Sequence, residues 1–196
     1  GWSSFFVCSS SEFTACSTFL RFVLMPGQKC FVTVGTTKFD ELVEAFDSED
    51  LQEKLFSQGF EEIVIQKGKS RATPVARGRL RVAVYEYKPS LQEDMAAADL
   101  IVSHAGAGSV MESLRMGKKL VVVANQALMD NHQMELADAM AARGLVDVAT
   151  PDNIAQVMGS GRYKQLKSPP PLDLGPMREI VMKSVGELKG SEKKKI

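Results

Sequence analysis

The chain has 196 residues, 44% hydrophobic and 24% charged, enough for one domain with a single core and unlike a disordered or fibrous protein. Its 24 Lys and Arg balance its 24 Asp and Glu, which argues against a nucleic-acid coat, because phosphate neutralisation needs a basic excess. Three cysteines, Cys8, Cys16 and Cys30, fit neither a zinc spacing nor a disulfide framework, so a reducing, cytoplasmic setting is expected.

Residues 1–24 are rich in Ser, Phe and Cys and read as a disordered extension outside the folded domain. Their apolar patch, Phe13 to Met25, is interrupted by Arg21 and falls short of the ~20 residues that span a bilayer. A secretory signal would need a basic n-region and a small-residue cleavage site, and neither is there. Met25-Pro26 is the more natural start of the working chain.

Regular patterning begins next. Lys29 to Gly35 is a short apolar strand ending in glycine, and Leu42, Val43 and Phe46 sit in a helical stretch behind it. Glu62–Gln66 reads as a strand, followed by a loop of Gly, Lys and Arg, and Leu80 to Tyr87 alternates like another strand. Ser90 to Ala98 is a helix, Asp99–Ser103 a strand, and Ser109 to Met116 a helix stopped by Gly117. Leu120–Ala124 is a fully apolar strand, and Asn131 to Arg143 a helix stopped by Gly144. Apolar strands alternating with helices predict an α/β fold, a Rossmann-like, doubly wound parallel sheet over residues 25–167. In the tail, 168–196, a stiff Pro-rich linker leads to an amphipathic helix in which Met177, Ile180, Val181, Val185 and Leu188 form one stripe. That stripe suits packing on the chain's own core or docking on a partner. Lys193-Lys194-Lys195 reads as a solvated end.

In such a sheet, ligands bind at the carboxyl ends of the strands. The segment Ser103-His104-Ala105-Gly106-Ala107-Gly108-Ser109 leaves a strand and opens a helix, so its main-chain N–H groups suit a phosphate or diphosphate. Glu112, three residues after Ser109, could accept hydrogen bonds from the vicinal hydroxyls of a ribose. The same spacing equally fits a capping box, with Ser109 as N-cap and Glu112 three places on. A dinucleotide fingerprint is disfavoured: Met111 stands where a third glycine belongs, and no acid ends the strand at Ala124-Asn125.

A second loop, Asn125 to Gln133, gathers amides and an imidazole (Asn131, His132, Gln133) suited to sugar hydroxyls. Its alternative is Asp130 capping the helix with Gln133 in reply. A third, Thr33-Val34-Gly35-Thr36-Thr37, puts glycine and hydroxyls before a helix. No nucleophile–base pair stands out and the two histidines lack metal-ligand spacing, so no catalytic residue and no metal site is assigned. From Phe39 to Glu62 nine acids face one base, and from Lys67 to Arg81 six bases face no acid. The acidic run reads as a solvated helical face. The basic run reads as solvated too, or as facing an anionic ligand or membrane.

Phe31 to Thr37, Gln66 with Gly68, Ser103 to Ser109 with Glu112, and Asn131-His132-Gln133 together resemble one family. It comprises the donor-binding subunits of the heteromeric UDP-N-acetylglucosamine (UDP-GlcNAc) transferase that acts on dolichyl-diphosphate-GlcNAc in N-glycan assembly, within the glycosyltransferase 28 family. The likeness spans roughly Lys29 to Val148. It implies the C-terminal, nucleotide-sugar half of a GT-B enzyme, inverting and without cofactor or metal, with UDP-GlcNAc as donor. It implies that Gly106, Ala107, Gly108 and Ser109 hold the UDP moiety beside His104, that Glu112 holds the ribose, and that Gly35 and Thr36 lie near the diphosphate. His132 and Gln133, after Asn131, would meet the GlcNAc hydroxyls. A membrane-anchored, acceptor-binding subunit would complete the site at the cytosolic face of the endoplasmic reticulum and supply the base; no nucleic acid is expected. A non-catalytic nucleotide-binding module that stabilises a membrane partner is the alternative. Residues 1–24 have no counterpart in the family, and Arg71 to Arg79 do not match its pattern.

Overall fold

The computed structural model describes residues 27–124 and 131–167, and for 131–136 the main chain alone. The extension of residues 1–24, the Asn125–Asp130 part of the second loop, and the linker and tail helix of 168–196 lie outside the described residues.

Six strands, β1 (Gln28–Thr33), β2 (Phe60–Gln66), β3 (Arg81–Tyr85), β4 (Leu100–His104), β5 (Lys119–Val123) and β6 (Asp147–Ala149), form one sheet. The order is β3-β2-β1-β4-β5-β6 and every pairing is parallel. The helices are α1 (Asp40–Ala45), α2 (Glu49–Ser57), α3 (Gln92–Ala97), α4 (Ala107–Arg115), α5 (Asn131–Ala142) and α6 (Ile154–Ser160), followed by a 3₁₀ turn, Arg162–Gln165. This is the doubly wound α/β architecture that the alternation of apolar runs predicts.

The strands lack polar alternation because both faces of the sheet are covered. Cys30, Val32, Ile63, Ile65, Leu100, Val102, Val121 and Val123 point into a core with Leu42, Phe46, Leu51, Leu55 and Met158 from α1, α2 and α6. Their neighbours Phe31, Ile101, Leu120 and Val122 point the other way, against Met95, Val110, Leu114 and Ala137 from α3, α4 and α5. Each full burial of a Leu, Ile or Phe is worth about 1.5–3 kcal/mol, so the two layers fix the register.

The chain winds outward from β1 through β2 to β3, then crosses back to lay β4 on the other side of β1. The order therefore reverses between β1 and β4. Loops leaving those two strands diverge there and open a crevice at their carboxyl ends.

Several boundaries differ from the sequence expectation. β2 begins at Phe60 rather than Glu62, and β3 stops at Tyr85. The expected helix behind β1 is two helices, the second capped by Ser48, whose hydroxyl accepts from the Leu51 N–H. Beyond Gly144 the structure adds β6, α6 and the 3₁₀ turn, too short to leave a periodic signal. The stop signals hold: the N–H groups of Gly117 and Gly144 bond to the carbonyls of Leu114 and Ala141.

Candidate functional site

The crevice is lined by the turn after β1 and the turn after β4. Thr33 and Ser103, the last facing pair of these strands, are wholly buried, and their chains part immediately beyond. Gly35 takes φ +62°, which bends the chain away from the sheet. His104 fills the space that bend creates. A Cβ on Gly35 would lie 2.8 Å from the ring's Cε1, and a Cβ on Gly106 equally 2.8 Å from the same atom. Glycine at both positions lets one imidazole stand between the two loops.

Burial pushes His104 below the ordinary histidine range, and the Thr33 main chain opposes that shift in part. Its Nδ1 is enclosed without a partner of good geometry among the described residues. The ring is therefore neutral at neutral pH, one nitrogen inside and the rest at the crevice.

Helix α4 opens beside this ring. Its N-cap is Gly106, extended at φ −71°, ψ 120°, with no side-chain cap. The first main-chain bond of the helix runs from Val110 N–H to Gly106 C=O at 3.1 Å, so Ala107, Gly108 and Ser109 keep N–H groups without a main-chain acceptor among the described residues. Thr36 does likewise in the opposite loop. Such an array, at the positive end of a helix, suits a phosphate or diphosphate.

This geometry removes one sequence reading. With Gly106 as N-cap, Ser109 is the third helical residue and Glu112 the sixth, so the Ser109–Glu112 capping box does not form. Ser109 instead accepts the Ser113 hydroxyl through its carbonyl at 2.7 Å. Val110 and Leu114 are buried against the sheet, while Ser109 and Glu112 share a half-buried face one turn along the helix. Asn131, His132 and Gln133 form the first turn of α5, the helix that follows β5, and so belong to the same end of the sheet. Asp130, the cap expected for that helix, lies outside the described residues.

The sequence reading names Thr33 and Gln66 but not the bond that joins them. Gln66 ends β2, is 1% exposed, and uses its whole amide. Its Oε1 accepts from Thr33 Oγ1 at 2.6 Å, and its Nε2 donates to the carbonyls of Gly35 at 2.7 Å and Glu86 at 2.9 Å. An amide closing an apolar run, Ile63-Val64-Ile65, was the available signal. Gly68, at φ +55°, packs so near that a Cβ would meet the carbonyl oxygens of Gly35 at 2.7 Å and Thr37 at 2.6 Å.

The acidic and basic runs, read separately as solvated faces, in part neutralise each other. Arg77 pairs with Asp47, Arg79 with Glu53 at 3.0 Å, and Arg81 with Glu61 at 4.0 Å. The guanidinium of Arg79 also covers the Phe56 ring at 3.9 Å. Beneath them Gln52, 2% exposed, donates to the carbonyls of Phe46 and Val75 and accepts from Arg77 N–H at 2.8 Å. The Arg77 guanidinium beside Asp47, with the Val75 N–H, holds that carboxyl below the usual carboxylate range. This half of the basic loop is a strap on α1 and α2.

Among the described residues, no group of three or more His, Cys, Asp or Glu side chains is disposed to hold a metal ion. Among them also, no helix is long and apolar enough to cross a membrane.

Comparison with known proteins bears on this geometry. The model of the glycosyltransferase family 28 C-terminal domain matches residues 29–169. The human UDP-N-acetylglucosamine transferase subunit ALG13 is 46% identical over 119 residues, 59% of this chain. The chain spans only 10% of that relative's length. An NMR solution structure of ALG13 superposes with a TM-score of 0.59 at 24% identity, covering 81% of this chain and 96% of that one. A crystal structure of Acinetobacter baumannii MurG superposes at 0.54 with 18% identity, covering 76% of this chain but 44% of that one. These likenesses define the fold as one Rossmann-like half of a GT-B architecture.

Proposed function

This chain belongs to the glycosyltransferase family 28 C-terminal domain family, and we propose that it is the donor-binding subunit of a heteromeric UDP-GlcNAc transferase. The observation that carries the proposal is the crevice between β1 and β4. There the N–H groups of Ala107, Gly108 and Ser109, which have no main-chain acceptor among the described residues, open a helix beside a neutral His104, with Glu112 one turn further on.

The donor's diphosphate lies against the start of α4, with Gly35 and Thr36 on its other side. The Glu112 carboxylate accepts hydrogen bonds from the vicinal ribose hydroxyls. His132 and Gln133, after Asn131, read the hydroxyls of the GlcNAc ring. As the sugar–phosphate bond breaks, negative charge grows on the departing UDP, and N–H groups fixed before the reaction stabilise it without reorganising. The reaction inverts the anomeric carbon and needs no bound metal or other cofactor.

The acceptor is dolichyl-diphosphate-GlcNAc, held by a membrane-anchored partner subunit that also supplies the base for its hydroxyl. The work takes place at the cytosolic face of the endoplasmic reticulum, for N-glycan assembly. What supports a partner is that the relatives this chain resembles are transferase subunits.

A transferase assay tests this directly. The full chain is incubated with labelled UDP-GlcNAc or UDP-glucose, with and without membranes that carry the partner and the lipid acceptor. Transfer is expected only with membranes and only from UDP-GlcNAc. Activity without membranes overturns the subunit reading, and equal use of both donors overturns the GlcNAc assignment.

A further inference from the structure

Gly35 is gripped on both sides by a closed ring of hydrogen bonds. Its N–H donates to Thr33 Oγ1 at 3.1 Å, Thr33 Oγ1 donates to Gln66 Oε1 at 2.6 Å, and Gln66 Nε2 returns to the Gly35 carbonyl at 2.7 Å. The second Nε2 hydrogen ties the ring to the main chain beyond β3, through the Glu86 carbonyl at 2.9 Å. Thr33 and Gln66 are 0% and 1% exposed, so water does not compete for these bonds. The amide orientation is fixed, since reversing it would set its oxygen against two carbonyl oxygens.

The element held this way is the one that meets His104. The Gly35 Cα faces the imidazole, and the imidazole in turn faces the Gly106 Cα at the start of α4. Neither glycine has a side chain to absorb a displacement, so movement of Gly35 passes straight to the ring. We propose that Gln66, with Thr33, is a positioning residue that sets the His104 imidazole against the start of α4 through Gly35, and so tunes how the site holds a nucleoside diphosphate. The ligand half of this inference rests on the donor-binding reading; the ring half does not.

Three variants of the full chain test it. Gln66→Glu keeps the size and the acceptor for Thr33 but puts an oxygen opposite the Gly35 and Glu86 carbonyls. Thr33→Val keeps the shape and breaks the ring at the hydroxyl, and Thr33→Ser restores that hydroxyl. Each is followed by calorimetric titration with UDP, by the imidazole proton signals of His104 (assigned by their loss in His104→Gln), and by thermal denaturation. Gln66→Glu and Thr33→Val are expected to weaken UDP binding about tenfold, the scale of one buried hydrogen bond lost, and to move the His104 signals. Thr33→Ser is expected to restore both.

A merely structural role would lower the melting midpoint while leaving the His104 signals and UDP affinity of the folded chain at wild-type values, and that result overturns the proposal. Should Gln66→Glu not fold, the Thr33 pair decides by the same criteria. If the wild-type chain binds no UDP, the donor-binding reading fails, and the His104 signals still show whether Gln66 sets the ring.

Discussion

Gly35 and His104 are matched by shape: the imidazole of one occupies the space where a side chain on the other would begin, 2.8 Å from an added Cβ. Gly35 also holds φ +62°. Both facts require glycine at this position, and they make separate demands. The left-handed backbone costs a non-glycine residue about 1–2 kcal/mol wherever it occurs. The contact with His104 additionally forces the ring to shift.

Gly35→Ala is therefore expected to destabilise the fold by about 2 kcal/mol in urea denaturation, the sum of modest backbone strain and a displaced side chain. UDP affinity measured by calorimetry should fall in the folded variant. Wild-type affinity in a stable Gly35→Ala chain would disconnect the turn after β1 from the site.

Gly108→Ala separates backbone access from folding. Among the described residues outside its own turn of helix, a Cβ there meets no atom within 4 Å, and the residue lies in the first turn of α4. Alanine should stabilise the helix by up to about 0.5–1 kcal/mol. If phosphate oxygens approach the Gly108 N–H closely, the same substitution weakens UDP binding several-fold. A more stable chain with poorer UDP binding is the expected outcome; unchanged binding would move the diphosphate away from the start of α4.

Glu112→Ala addresses the ribose. Because Glu112 is six residues into α4 and caps nothing, its loss should change stability by less than about 0.5 kcal/mol. UDP binding should fall below detection in calorimetry, because two hydrogen bonds to a charged acceptor are removed together. An intact affinity would reduce Glu112 to a helix-surface residue.

His104 gives stability a pH dependence of known sign. Its folded value lies below its unfolded value near 6.5, so the unfolded chain binds more protons and folding weakens as pH falls. The loss begins as pH drops through the unfolded value and levels off below the folded one. Urea midpoints measured across that window should decline in the wild-type chain and decline less in His104→Gln. Equal slopes would mean that the imidazole is not held neutral by burial.

The strap over α1 and α2 divides into strong and weak parts. Gln52→Ala leaves the Phe46 and Val75 carbonyls and the Arg77 N–H without their partner, and should cost about 2–3 kcal/mol. Arg79→Ala removes an exposed ion pair and should cost no more than about 1 kcal/mol, shrinking as salt is added. Chemical denaturation at low and high salt checks both, and the reverse ranking would show that charge, not the buried amide, fastens the loop.

The sequence alone determined the architecture and marked where a candidate site would lie. Apolar runs such as Leu120–Val123 demand burial on both faces, and only a parallel sheet between helix layers provides it. Glycines after two such runs, at Gly35 and Gly106, marked the strand ends that border the crevice. These are local signals, written in the order of neighbouring residues. Tertiary structure alone decided what those residues do to each other. The capping box at Ser109 and Glu112 is a sound local reading, and it fails because the chain leaving β4 turns at Gly106 and caps the helix three residues sooner. The acidic and basic runs looked like separate solvated faces until folding laid one across the other. The ring of Thr33, Gln66 and Gly35 joins residues up to 33 positions apart, and no periodicity encodes a hydrogen bond across that distance. It exists because β1 and β2 pair in register, bringing Thr33 opposite Gln66 at the strand ends where water is excluded.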